Sequence, residues 1–136
     1  MPSLKITHGT WEELQQAAKM IREQVFIQEQ NIAAEDEWDE QDEIAVHFVV
    51  YEQDQAIATG RLLQNHSIGR VAVLKSHRGL GVGKVLMQAV IAYAQQQLRP
   101  FLVLSSQVHA QAFYQALGFM QEGEEYLDCG IPHIHM

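Results

Sequence analysis

The sequence predicts an α+β domain, a mixed and largely antiparallel sheet with helices on both faces. Three β-rich runs follow one another between residues 46 and 74 with only short turns between them, the pattern of an antiparallel meander. Two segments with apolar residues at helical spacing flank the meander. After the second comes a short continuous apolar run, Phe101-Leu102-Val103-Leu104, as expected of a strand buried on both faces. With 136 residues, 47% of them hydrophobic, residues 1–136 have the size of one domain around one core.

Taken in order, Leu4 to His8 is predicted as a short strand. Thr10 then caps a helix, with Glu13 at the spacing of a capping box, and Leu14, Ala17, Ala18, Ile21 and Val25 form its buried stripe. The acidic stretch Glu35 to Glu43 has no steady period and is expected to be a loop or short helix with Trp38 tucked against the body. The meander follows as Val46 to Tyr51, a turn at Gln53-Asp54, Ala56 to Leu63, a turn at Asn65-His66, and Ile68 to Leu74. His47 and Arg61 belong to it, with Arg61 facing either solvent or the acidic stretch. Val82, Val85, Leu86, Ala89, Val90 and Tyr93 then mark a helix that runs to about Leu98 and ends before Pro100. Ser106 is expected to open another helix that stops at Gly118, and Glu124 to Asp128 to form the last strand. The prolines at 2, 100 and 132 fall where elements are expected to begin or end.

A net charge of −8 argues against a nucleic-acid partner, since such binding draws on Lys and Arg facing phosphates. No apolar stretch is long enough to span a bilayer, and the amino end Met1-Pro2-Ser3-Leu4-Lys5 lacks the apolar core of a signal peptide. A soluble, cytoplasmic protein without a membrane partner is expected. The lone Cys129 has no partner for an internal disulfide and no evident base beside it, so it is taken as a small strand residue. His133 and His135 lack a third ligand at known spacing, so no metal is expected. An edge strand near the carboxyl end would favour a homodimer. Charge is also divided along the chain. Residues 29–54 hold ten carboxylates and no Lys or Arg, whereas residues 55–121 hold six Lys or Arg and no carboxylate.

The carboxylate-free half contains Arg78-Gly79-Leu80-Gly81-Val82-Gly83-Lys84, placed after a strand and before a helix. Backbone amides at a helix start lack internal partners, and the helix dipole adds positive potential there, so a phosphate fits. The competing reading is an ordinary turn before a helix. Spacing excludes two commoner phosphate loops. The Gly-x-x-x-x-Gly-Lys-Ser/Thr loop fails because Gly79 and Gly83 are one residue too close and Val85 follows Lys84. The dinucleotide fingerprint fails because the glycines are spaced Gly-x-Gly-x-Gly and no acid follows at the ribose position.

The remaining pattern, Arg-Gly-x-Gly-x-Gly after Val71-Ala72-Val73, resembles the coenzyme A signature of the GNAT acetyltransferases. The resemblance extends to Ala112-Phe113-Tyr114-x-x-Leu117-Gly118-Phe119. Val25-Phe26-Ile27-x-Glu29-Gln30, Glu37-Trp38-Asp39 and the ending Gly130-Ile131-Pro132-His133 resemble a small bacterial branch of that family, the ElaA- and YjcF-like proteins. Members of that branch commonly carry Pro at the position of Ala33 and an acid at that of Cys129.

What the resemblance implies is acetyl-coenzyme A dependent transfer of an acetyl group to a small amine by direct attack, on a sheet splayed where the coenzyme inserts. Val71, Ala72 and Val73 would line the pantetheine arm, with the amides of Val71 and Val73 pairing with it. Arg78, Gly79, Leu80, Gly81, Val82, Gly83 and Lys84 would hold the pyrophosphate, with Phe113 and Tyr114 beside the thioester. Tyr114 is the candidate donor to the departing sulfur, because a phenol with an ordinary pKa of about 10 keeps its proton at neutral pH; a packed core aromatic is the competing reading. Glu29, Glu37, Asp39, Asp42 and His133 are candidates for the base or for holding the substrate, and water could relay the proton instead. Ten carboxylates opposite a basic coenzyme region point to a cationic amine. The alternative is a catalytically weak acyl-coenzyme A sensor that uses the acidic stretch as an interaction surface.

Overall fold

The computed structural model describes residues 3–136, so Met1 and Pro2, and the reading of the extreme amino end, lie outside the described residues. Strand β1 spans Leu4–Gly9, and helix α1 spans Trp11–Arg22. Both halves of the capping box at α1 are formed: the Thr10 hydroxyl accepts from the Glu13 amide, and the Glu13 carboxylate accepts from the Thr10 amide at 3.0 Å. The helix then widens into a π-helical turn over Glu23–Glu29, which keeps Val25 and Phe26 buried and carries Glu29 to its end. A short helix α2 (Ala34–Glu37) and a 3-10 turn (Glu40–Glu43) make up the acidic segment.

The meander consists of β2 (Val46–Glu52), β3 (Gln55–Leu62) and β4 (Ser67–Val73), as the runs rich in β-branched and aromatic residues predict. Helix α3 (Val82–Gln96) follows the glycine loop. The chain closes with β5 (Val103–Gln107), α4 (Gln111–Ala116), β6 (Glu122–Asp128) and β7 (Ile131–His135). Seven strands form one sheet in the order β1-β2-β3-β4-β5-β7-β6, antiparallel throughout except for β4 with β5. Helices cover both faces. Leu14, Ile21, Val25 and Phe26 pack with Val49, Ala72 and Leu74 on one face. On the other, Val82, Leu86, Met87 and Val90 pack with Phe48, Val50, Ile57 and Leu104. Successive residues of a strand point to opposite faces, so Val49 and its neighbours Phe48 and Val50 serve different layers.

The carboxyl-terminal third departs from expectation. Phe101 is exposed, β5 starts only at Val103, and its burial alternates rather than being continuous. Ser106 is a buried strand residue opposite Ile134, not a helix opener; α4 begins at Gln111 after a single 3-10 turn. The cause is β7, a strand the sequence did not reveal. It pairs with β5 and extends its ladder through Gln107. Pro132 lies within β7, opposite Leu127, and not at a terminus of the element. Strand β6 forms the sheet's outer edge, and Glu122, Glu124, Glu125 and Asp128 give it charge that resists edge-to-edge pairing. Among the described residues, no helix is long and apolar enough to cross a membrane.

Candidate active site

The sheet order itself opens the site. Parallel β4 and β5 pair only at Ser67 with Val103 and Ile68 with Leu104. Beyond that point β4 stays with β3, while β5 continues with β7, so the two strands part as a fork. The Leu74 amide donates to the Ile57 carbonyl at 2.9 Å, so strand alternation turns the Val73 amide and carbonyl away from β3 and into the fork. A bulge precedes this stretch: the register with β3 shifts between Thr59 and Arg61, and Arg70 takes a φ of 51°. Val71 follows the bulge and is half-buried.

At the end of β4 the chain makes a 3-10 turn over Lys75–His77 and enters the glycine loop. Gly79 and Gly81 have φ of 78° and 83°, a region that favours glycine, yet a Cβ at either would meet nothing within 4 Å. Gly83 is different. A Cβ there would lie 3.3 Å from Phe113 Cζ and 3.7 Å from Val73 Cγ2, so its small size admits the α4 ring against the α3 start. That contact joins the two sequence signatures. Helix α3 has Gly81 as its N-cap, no side-chain cap and no acid in its first turn, which leaves its first amides available to an anion. Leu80 and Lys84 are exposed on the loop, and Val82 is buried beneath it.

Tyr114 is 9% exposed and lies in the same apolar cluster as Val82 and Leu86. Phe113 and Phe119 meet it edge-on, with ring centroids 5.0 and 6.2 Å away. Burial alone pushes its phenol up to about 12, and its hydroxyl takes no hydrogen bond among the described residues. It is a donor at neutral pH with no acceptor among the described residues.

The acidic candidates separate into two groups. Glu37, Asp39 and Asp42 turn inward onto arginines. Arg22 donates from Nε to Glu37 at 2.5 Å and from Nη1 to Asp42 at 2.7 Å, and its guanidinium lies 5.6 Å from the centre of the Trp11 ring and 5.0 Å from that of Trp38. Arg61 grips both Asp39 oxygens, at 2.7 and 2.9 Å, and also Asp42 at 2.8 Å, while its buried Nε has no partner among the described residues. Arg70 reaches Glu37 and Asp39, each at 3.3 Å. Burial raises the Glu37 carboxyl above the usual range, whereas the Arg61 hydrogen bonds hold Asp39 below it. The segment is therefore not an undivided acidic face: three of its carboxylates are internal partners of Arg22, Arg61 and Arg70. Arg61 faces that segment and not solvent.

Glu29 stands apart from this network. Its two oxygens accept from Arg78 Nη1 and Nη2 at 2.5 and 2.8 Å, and Arg78 Nε donates to the Val73 carbonyl at 2.9 Å. The mutual hydrogen bonds hold Glu29 below and Arg78 above their ordinary values. His133 sits on β7, its Nδ1 2.7 Å from the Ile131 carbonyl, with Tyr126 stacked beside His135. Cys129 is exposed in the β6–β7 turn. Two further residues here were not among the site candidates read from the sequence. Gln30 and Gln107 exchange two amide hydrogen bonds at 3.2 and 2.8 Å, and His109 adds a contact to Gln107 at 2.6 Å. Only the β5–β7 pairing brings Gln107 there.

A fork between two parallel strands, ending at an uncapped glycine-loop helix, is an arrangement that can receive an extended ligand with an anionic end. The profile of the acetyltransferase (GNAT) domain matches residues 11–136, and the chain belongs to the GNAT acetyltransferase family. It is 39% identical over 129 residues to the uncharacterized N-acetyltransferase YjcF of Bacillus subtilis, covering 92% of each chain. Two crystal structures share the fold closely. An acyl-CoA N-acyltransferase from Pseudomonas aeruginosa has a TM-score of 0.88 at 32% identity, covering 98% of both chains. Escherichia coli ElaA has a TM-score of 0.87 at 30% identity, covering 96% of both. The expected fold and the ElaA/YjcF-like branch are thereby borne out.

Proposed function

We propose that this chain transfers an acetyl group from acetyl-coenzyme A to the nitrogen of a small, cationic amine. The observation that carries the reading is the fork, whose inner edge presents the Val73 amide and leads directly to the uncapped start of α3. In this reading the amides of Val71 and Val73 pair with the pantetheine arm. Arg78 and the amides from Gly79 to Lys84 hold the pyrophosphate, with Leu80 and Val82 shaping the loop. Ala72, whose side chain packs on the α1 face, fixes the strand. Phe113 closes the site from above Gly83.

The acceptor nitrogen, once neutral, attacks the thioester carbon; the carbon–nitrogen bond forms as the carbon–sulfur bond breaks. A main-chain amide of β4 polarises the carbonyl. Tyr114 donates a hydrogen bond to the departing thiolate. A phenol near 12 is a weaker acid than a thiol and does not give up its proton outright to the departing thiolate. The proton that completes the thiol is therefore the one the nitrogen loses, passed to a carboxylate or water and on to sulfur.

Free-thiol release from acetyl-coenzyme A, followed across polyamines, aminoglycosides, amino sugars and peptides, tests the reading. At least one amine is expected to raise it well above background hydrolysis. Tight coenzyme binding with no stimulation by any amine would favour the sensor reading instead.

A further inference from the structure

The end of the π-helical turn spans the mouth of the fork. Glu29 reaches the β4 arm through Arg78, and the next residue, Gln30, reaches the β5 arm through Gln107. Arg78 is claimed by two anions. One is the Glu29 carboxylate it holds now. The other is the pyrophosphate proposed for the loop that Arg78 begins, so this inference rests on that proposed seat.

The two claims are unequal. Arg78 and Glu29 are 38% and 36% exposed, so water and salt screen their attraction. A pyrophosphate on the free amides of α3 carries more charge than one carboxylate and sits in the field of a helix start. Arg78 needs only to rotate its side chain to change partners. The other acidic candidates are not exchangeable in this way, because Glu37 and Asp42 are sealed and both Asp39 oxygens are held by Arg61.

We infer that Arg78 exchanges Glu29 for the pyrophosphate of the coenzyme, and that the carboxylate released at the mouth of the fork becomes the docking group for the acceptor's ammonium. An incoming cation then takes the place of the departed guanidinium on Glu29; until it arrives the half-exposed carboxylate is solvated by water. The amine site is then complete only after the coenzyme is in place.

Calorimetric titration of coenzyme A and of pantetheine into the wild-type chain and Glu29→Gln tests the exchange. The glutamine is isosteric and half-exposed, and a thermal melt confirms that the variant folds. Freed from its carboxylate, Arg78 should bind coenzyme A about threefold more tightly in the variant, a gain of the size such exposed pairs provide. Pantetheine, which lacks the pyrophosphate, should bind both chains equally. Arg78→Gln should weaken coenzyme A and leave pantetheine unchanged. An unchanged or weaker affinity of Glu29→Gln for coenzyme A, or an equal gain for pantetheine, overturns the exchange. Spermidine serves as the cation probe for the docking step: it should bind the wild-type chain only with coenzyme A present, and Glu29→Gln in neither condition. Equal spermidine binding with and without coenzyme A, or by both chains, overturns the docking role. Neither titration depends on turnover, so both stand even if no amine is acetylated.

Discussion

Arg22 with Glu37 and Asp42, and Arg78 with Glu29, are built from the same chemistry and placed oppositely with respect to water. The first group is 1–2% exposed, its guanidinium lying against Trp11 and Trp38. The second lies at the fork with more than a third of each side chain in solvent. A sealed charge cannot change partners without leaving another charge unpaired in the interior, so it fixes geometry. An exposed pair loses little when it opens, so it can take part in binding. The carboxylates thus serve two ends: those of the acidic segment tie α1 to the meander, while Glu29, which precedes the segment, holds an exposed arginine at the fork.

The largest expected effect breaks the sealed group. Arg22→Leu should cost about 3 kcal/mol or more in chemical denaturation, because Glu37 and Asp42 keep only their weaker or shared partners Arg70 and Arg61. A loss below 1 kcal/mol would show that the network is not the tie described.

Tyr114→Phe removes a hydroxyl that has no partner among the described residues. Turnover should fall about a hundredfold, as when a single transition-state donor is lost, while the unfolding midpoint barely moves. Unchanged turnover would return Tyr114 to a packing role.

A pH series sharpens the contrast further. Burial holds His47 below its ordinary value of 6.5, so the unfolded chain takes up this proton first as pH falls. The stability His47 contributes is full above about 6.5 and declines as pH drops toward its folded value. Arg61 holds Asp39 below 3.8, so that contribution stays until lower pH and is lost as pH falls through the folded value. The melting midpoint should therefore start to drop below about pH 6.5, and His47→Gln should flatten that first drop.

The smallest effect is the stability change of Glu29→Gln, expected to stay within about 1 kcal/mol. A larger loss would place the Arg78–Glu29 pair with the structural group and remove the difference between the two.

Much of this architecture is legible in residues that act through their neighbours in sequence. Thr10 and Glu13 announce α1 because a capping box closes within three residues. The meander shows as β-rich runs with short turns between them, and the glycine loop as a spacing that only backbone with positive φ at Gly79 and Gly81 requires. The family follows from the loop together with the Phe113-Tyr114 signature, and the fold it implied is the fold found.

What only the tertiary structure decided depends on partners far away along the chain. β7 escaped notice because Ile131 to His135 is a strand through its partners, β6 along its first residues and β5 along its last, and the pairing with β5 turned Ser106 from helix opener to strand interior. The same distance separates Glu29 from Arg78 and Gln30 from Gln107, pairs that no periodicity links. Charge shows the division most clearly. The sequence by itself determined that ten carboxylates precede a carboxylate-free half. Which of them meet water was settled by burial, since a buried carboxylate must be desolvated and is kept only where an arginine is already waiting.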